Sequence, residues 1–406
     1  MTRVPALAPG MFLCFAFGYF LSALLRAVTA TLAPVFSTEL GLQAADLGLL
    51  AGAYFFGFAV LQLPLGKALD RFGPRRTLAA MTGVAVLGCV AFAVAHHFVA
   101  LVAARALVGA GVAACLMAPL TAFRQHLSTA AQLRANSWML MTGSLGMLAS
   151  TLPVQWLLPV WGWRGLFWVL AGLLMLSAAL VLWLAPADPP RQAGTGEPEV
   201  GYRDIVRHPL FVRTAPMGFF VYGGLIAVQS LWAGPWLTRV GGWTSAEAAQ
   251  GLFGINLSML LAFGAWGLLM PRLARRGIHA MSLMAWGVPV ALCLLALIVA
   301  LGSGAGAVHW AVWCVACTFV SLSQPAVGAA FPASQAGRAL SAYNLVIFAG
   351  VFCIQWGLGL LIDLLRAHGW SDDAAFRCAF AAFGACGGAG YGWFLWRGRQ
   401  AVDNGR

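Results

Sequence analysis

Charge is what this chain has least of. Only 9% of its 406 residues are Asp, Glu, Lys or Arg, where a soluble domain carries about 25%, so a soluble globular protein is excluded. Acids are the scarcer sign, twelve against twenty-four Lys plus Arg, and Lys67 is the one lysine. A net charge of +12 can mark a nucleic-acid binder. Here the cations fall in short groups between apolar runs instead of clustering on one polar face, so no nucleic-acid partner is expected. The nine cysteines are odd in number and lie in or at the ends of apolar runs, which argues against a disulfide framework. Cys314-x-x-Cys317 reads as small apolar packing. No Gly-Lys-Ser/Thr phosphate loop is present, His96-His97 has no further ligands clustered nearby, and no metal, cofactor or enzymatic constellation is expected.

What the chain has in quantity is long apolar sequence, 61% hydrophobic residues in all. A membrane-crossing helix needs about 20 mainly apolar residues. Twelve such runs are read near 10–36, 44–66, 77–96, 98–122, 135–160, 165–186, 210–237, 247–270, 278–301, 307–330, 339–364 and 376–397. The first is longer than the ~7–15-residue core of a signal peptide and is expected to be retained. The one long polar stretch, 187–209, is rich in Pro, Gly and acids and reads as a flexible linker. The expected fold class is therefore an all-α membrane protein with twelve transmembrane helices. Its expected domains are a six-helix bundle over 1–186, the linker 187–209 and a second six-helix bundle over 210–406.

Cation placement sets an expected orientation. With both termini cytoplasmic, eighteen Lys and Arg fall in inside loops and four (Arg164, Arg239, Arg366, Arg377) in outside loops, as the positive-inside rule requires. The halves also repeat. Gly66-x3-Asp70-Arg71 and the two arginines after it match Gly267-x3-Pro271-Arg272 with Arg275-Arg276, and Arg134-Ala135, Ser137 and Gly146 match Arg338-Ala339, Ser341 and Gly350. Parallel repeats of six helices predict a substrate site at their interface, near the midplane.

The turn Gly66-Lys67-Ala68-Leu69-Asp70-Arg71-Phe72-Gly73-Pro74-Arg75-Arg76 resembles the G-x3-D-R-x-G-x-R-R signature of the major facilitator superfamily, through Gly66, Asp70, Arg71, Gly73, Arg75 and Arg76. Arg105-x3-Gly109-x-Gly111 is similar to a second motif of that family. The resemblance implies a secondary transporter of two rocking bundles, with gating residues at the positions of Asp70, Arg71, Gly73 and Arg75. A topology anchor is the alternative role for this turn. The Gly-Pro motif of drug/proton antiporters is not reproduced in the fifth run.

Two arginines lie inside predicted spans. A charge in the hydrocarbon costs about 2.5–3.5 kcal/mol and faces a cavity or a partner. Arg26 is some ten residues from the end of its run, too deep to snorkel out easily, while Arg105 is nearer an end. A guanidinium pair without acids in the middle of the first six spans points to an anionic ligand, because the planar fork suits carboxylate or phosphate. The resembling anion-transporting branch also carries Arg in spans 1 and 4, but the membrane carboxylates that branch adds are missing here. Tyr222, Gln229, Asn256 and Gln355 are the further substrate-binding candidates, with helix-packing hydrogen bonds as the alternative for each. His309 and Asp363 are candidate proton carriers or wetted interface residues. The expected protein is a monomeric importer of a small organic anion in the bacterial inner membrane, with protons as the candidate coupling ion. Efflux of amphipathic compounds is the rival within transport, and a membrane sensor or enzyme the rival outside it.

Overall fold

The computed structural model describes residues 9–127, 129–188, 201–331 and 333–403. Among them every regular element is a helix. Two compact units emerge: residues 1–28 with 53–198, and residues 29–52 with 199–406. The division falls inside the polar 187–209 stretch, and it also gives the second unit the end of the first helix and the start of the second.

Chain order begins with α1 (Pro9–Glu39), α2 (Ala44–Val60), α3 (Gln62–Phe72), α4 (Pro74–Val94), α5 (Phe98–Val112), α6 (Ala114–His126), α7 (Thr129–Ala149) and α8 (Leu152–Leu184). The pairs α2–α3 and α5–α6 are each one predicted run. The first is bent by 42° at Leu61 and the second spans Phe98–His126. Among the described residues, ten helices are long and apolar enough to cross a membrane, or eleven with the bent pair taken as one span. The difference from the twelve runs arises around residues 135–186. There α8 carries the end of the fifth run and nearly all of the sixth, interrupted at Gly162 with φ 61° and ψ 172°. That left-handed glycine breaks the helical path inside Trp161-Gly162-Trp163-Arg164, where the sequence places a connection.

The second unit continues with α9 (Tyr202–Arg207), α10 (Pro209–Met217), α11 (Gly223–Ala227) and α12 (Ala233–Pro235), then α13 (Ser245–Arg275) and α14 (Ala280–Leu301). It ends with α15 (Ala307–Cys317), α16 (Ser323–Ala329), α17 (Ala333–Ala367) and α18 (Asp372–Asp403). From Pro209 to Val240 the chain is one apolar span, but three π-helical turns interrupt it, at Gly218–Tyr222, Val228–Trp232 and Trp236–Val240. An aromatic core holds this unit together. Trp236 lies 5.3 Å from Trp310 and 5.2 Å from Phe380, both edge to face, a geometry worth about 0.5–1.5 kcal/mol per pair beyond the buried area.

Candidate functional site

In the first unit the two membrane arginines come together. Arg105, on α5, is 1% exposed, and its Nη1 donates 3.1 Å to the carbonyl of Leu25, the residue before Arg26. Its guanidinium also lies 5.2 Å from the centre of the Tyr54 ring. Tyr54, wholly buried, donates from its hydroxyl to Ser22 O at 3.1 Å. Arg26 is half-buried, with its guanidinium 6.0 Å over the Phe58 ring and Tyr54 and Cys115 within reach of its charge. Arg105 therefore fixes the backbone under Arg26, and Arg26 is the more accessible of the two guanidiniums.

The motif spacing explains the pairing. Arg105 and Gly109 are one turn apart and share a face of α5. A Cβ on Gly109 would run into the Tyr54 carbonyl, so only a bare backbone lets α5 lie close enough to α2 for Arg105 to reach Leu25. Truncating Arg105 removes a charge-assisted hydrogen bond from a buried core, and a hydrogen bond to a charged group is worth about 1.5–3 kcal/mol. Arg105→Ala is accordingly expected to lower the thermal midpoint of the purified protein measurably, with Arg105→Lys intermediate. An unchanged midpoint would remove the positioning role.

The basic turn has a partner that the sequence reading missed. Gly73 adopts φ 80° and its N–H closes α3 on Leu69 O at 3.0 Å, after which Pro74 opens α4. The carboxylate of Asp188 then caps α4, accepting from Arg75 N at 2.9 Å and Arg76 N at 3.1 Å. A helix N-terminus favours such a negative charge. Arg75 also donates from its side chain to Leu182 O, while exposed Arg71 lies 5.0 Å over the Phe72 ring. Asp70 is in α3, but its side chain lies outside the described residues. The sequence signal for Asp188 was its place beside Pro189-Pro190, which read as linker.

In the second unit the candidate amides bond one another. Gln229 Nε2 donates to Asn256 Oδ1 at 2.9 Å, and Asn256 Nδ2 to Leu252 O at 2.9 Å. Gln355, wholly buried, donates from Nε2 to Ser230 Oγ at 3.0 Å, and Ser230 donates to Ile226 O at 2.5 Å. Each chain ends on a backbone carbonyl, which only accepts, so the direction of every bond is fixed. The surplus groups are therefore amide oxygens. Gln355 Oε1 is buried without a hydrogen-bond partner, and such an acceptor suits a hydroxyl donor. Gln229 sits in a π-helical turn, as does half-buried Tyr222. Such turns recur at functional sites, and Gly223-Gly224 and Gly234-Pro235 are their local sequence signal.

His309 and Asp363 do not bond each other; each serves a helix start. His309 Nδ1 accepts from Gly306 N at 3.2 Å, at the head of α15. Asp363, on α17, accepts from Ala44 N at 3.2 Å and Ala45 N at 2.6 Å, capping α2. Below this cap α2 and α17 touch through glycine. A Cβ on Gly48 would meet Gln355 O, and one on Gly359 would meet Ala44 O. Among the described residues no group of three or more His, Cys, Asp or Glu could hold a metal ion.

A sequence model described as Major Facilitator Superfamily matches residues 15–355. The 4-hydroxybenzoate transporter PcaK of Pseudomonas aeruginosa (strain PAO1) is 29% identical over 170 residues, 42% of this chain and 38% of that relative. The alignment thus spans less than half of either protein. Among solved structures, a bacterial homologue of the human lysosomal transporter Spinster, inward-facing and unoccupied, superposes with a TM-score of 0.74 at 18% identity, covering 97% of both chains. A D-xylose–proton symporter gives 0.72 at 15% identity, over 93% of this chain and 96% of the other. At such identities these two establish the shared fold. With the family match extending over most of the sequence, the chain belongs to the major facilitator superfamily and is a multi-pass membrane protein.

Proposed function

We propose that this transporter carries a small organic anion of the carboxylate type across the bacterial inner membrane by alternating access, in the direction of import, with protons as the coupling ion. Arg26 carries the reading. It is a half-buried guanidinium in the middle of α1, set against aromatic rings and held in place from behind by Arg105. The acids of residues 1–186 are Glu39, Asp46 and Asp70, all at or near helix ends, so the midplane chemistry of the first unit is cationic. A planar guanidinium binds a carboxylate through two parallel charge-assisted hydrogen bonds. A cation in the same place would meet like charge in a low dielectric.

The limited likeness to a 4-hydroxybenzoate transporter supports an organic acid as the class to test first. The cation count supports cytoplasmic termini, which puts the turn between α1 and α2 outside. The protein acts as a monomer in the bilayer. Proton coupling has no assigned carrier, because His309 and Asp363 are engaged as helix caps. The deciding experiment is uptake of a labelled metabolite panel into proteoliposomes, with and without an inward pH gradient. Accumulation of carboxylates, increased by the gradient, is the expected result. Transport confined to cationic amphiphiles would overturn the reading in favour of efflux chemistry.

A further inference from the structure

The second unit holds a cavity of about 300 Å3 where α1 ends and α2 begins, at the lower end of the ~300–1,000 Å3 range of small-molecule sites. Pro34, Leu47, Pro235 and Phe376 form apolar wall, and Arg239 and Arg366 supply two guanidiniums. Of the charged residues lining it, Asp372 alone is acidic. Exposed Arg239 forms no ion pair among the described residues.

Arg366 has acids nearby, yet neither uses it well. Asp363 gives both oxygens to the amides of α2, at 3.2 and 2.6 Å, and reaches Arg366 Nη1 only at 3.5 Å. Asp372 Oδ1 lies 2.7 Å from Arg366 Nε, but that N–H makes no hydrogen bond. The contact is an ion pair of poor direction, and Asp372 is 42% exposed. Charge-assisted bonds gain most from aligned donors. The wall therefore sets cationic donors and the neutral polar groups of Ser37, Gln43 and Thr238 beside an apolar face, the pattern that takes a carboxylate joined to a hydrophobic body.

We propose that this cavity is a second anion site, a vestibule within the second unit that holds an apolar carboxylate, separately from Arg26. It rests on the anion-transport reading for its physiological ligand, but its own test needs no transport. Bound there, a carboxylate competes with Asp363 and Asp372 for Arg366. Ala44 lines the cavity and is also capped by Asp363, so occupancy bears on the contact between α2 and α17.

Equilibrium dialysis of labelled benzoate against the full chain in nanodiscs of zwitterionic lipid tests this. Wild type is expected to bind two equivalents. Arg239→Gln, at an exposed position, is expected to weaken one of them at least tenfold and leave the other. Arg26→Ala is expected to remove the other and keep the Arg239-dependent one. An Arg239-dependent component that survives beside an Arg26-independent remainder would sink the Arg26 reading and sustain the vestibule. Absence of any Arg239-dependent benzoate binding overturns the vestibule. Discs containing phosphatidylglycerol separate the two sources of anionic headgroup: if the Arg239-dependent component disappears only there, the site belongs to lipid and the proposal falls.

Discussion

Arg26→Ala is expected to abolish carboxylate uptake while leaving the protein folded. Truncating one member of a desolvated, hydrogen-bonded charge pair costs about 2–5 kcal/mol, so uptake at low substrate should drop by about 30-fold to several thousand-fold. Folding should not suffer equally. Arg26 is half-buried, and deleting a cation from a membrane helix relieves about 2.5–3.5 kcal/mol of insertion cost. This distinguishes it from Arg105, whose loss removes a charge-assisted hydrogen bond from a closed core. Arg26→Lys keeps the charge but loses the planar fork, and should fall between wild type and alanine. The measurements are initial uptake rates in proteoliposomes and monodispersity of the purified variant. Wild-type rates in a well-folded Arg26→Ala protein would remove the anion reading altogether.

The fold was legible in the sequence because hydrocarbon imposes so few solutions. Backbone groups in a bilayer must be satisfied within the segment, so long apolar runs become helices, and their positions agree closely with α1, α4, α13, α14, α15–α16, α17 and α18. What was not legible depends on a single backbone dihedral or on distant partners. Gly162 shifts where one run ends and the next begins. The three π-helical turns of the Pro209–Val240 span arise inside a mainly apolar stretch, where periodicity gives no warning.

The site shows the same division. Charge inside apolar sequence marked Arg26 and Arg105, and motif spacing tied Arg105 to Gly109. Neither signal could show that Arg105 reaches the Leu25 carbonyl, or that its guanidinium lies over the Tyr54 ring. Acid roles were the least legible. Asp188 and Asp363 both act on backbone amides more than a hundred residues away, and no local pattern encodes such a pairing. Neither helix is capped by the residue before it: Gly73 precedes Pro74 in one case, and Gln43, whose side chain donates to Gly41 O, precedes Ala44-Ala45 in the other.

Gly48→Leu is expected to be the most disruptive single change in the second unit. Small residues let membrane helices approach to backbone contact, and here the approach is mutual, Gly48 against Gln355 and Gly359 against Ala44. Helices that meet through ordinary side chains stand about 8–10 Å apart, so a leucine cannot be absorbed by a rotamer change. It must push the first turns of α2 off α17 and pull Ala44 and Ala45 away from Asp363. A packed soluble core would unfold under such strain. Under the alternating access proposed above, the strain instead favours whichever arrangement separates these helices. Net uptake should therefore fall at least tenfold with the protein still monodisperse, and Gly48→Ala should show a smaller loss. Spin labels at Gln43→Cys and His368→Cys, with the native cysteines replaced by alanine, read the separation directly. The distance between them should lengthen in Gly48→Leu and in Asp363→Ala alike, since both release the same end of α2. A wild-type distance distribution with normal uptake in Gly48→Leu would show that this contact stays shut throughout the cycle and plays no part in gating.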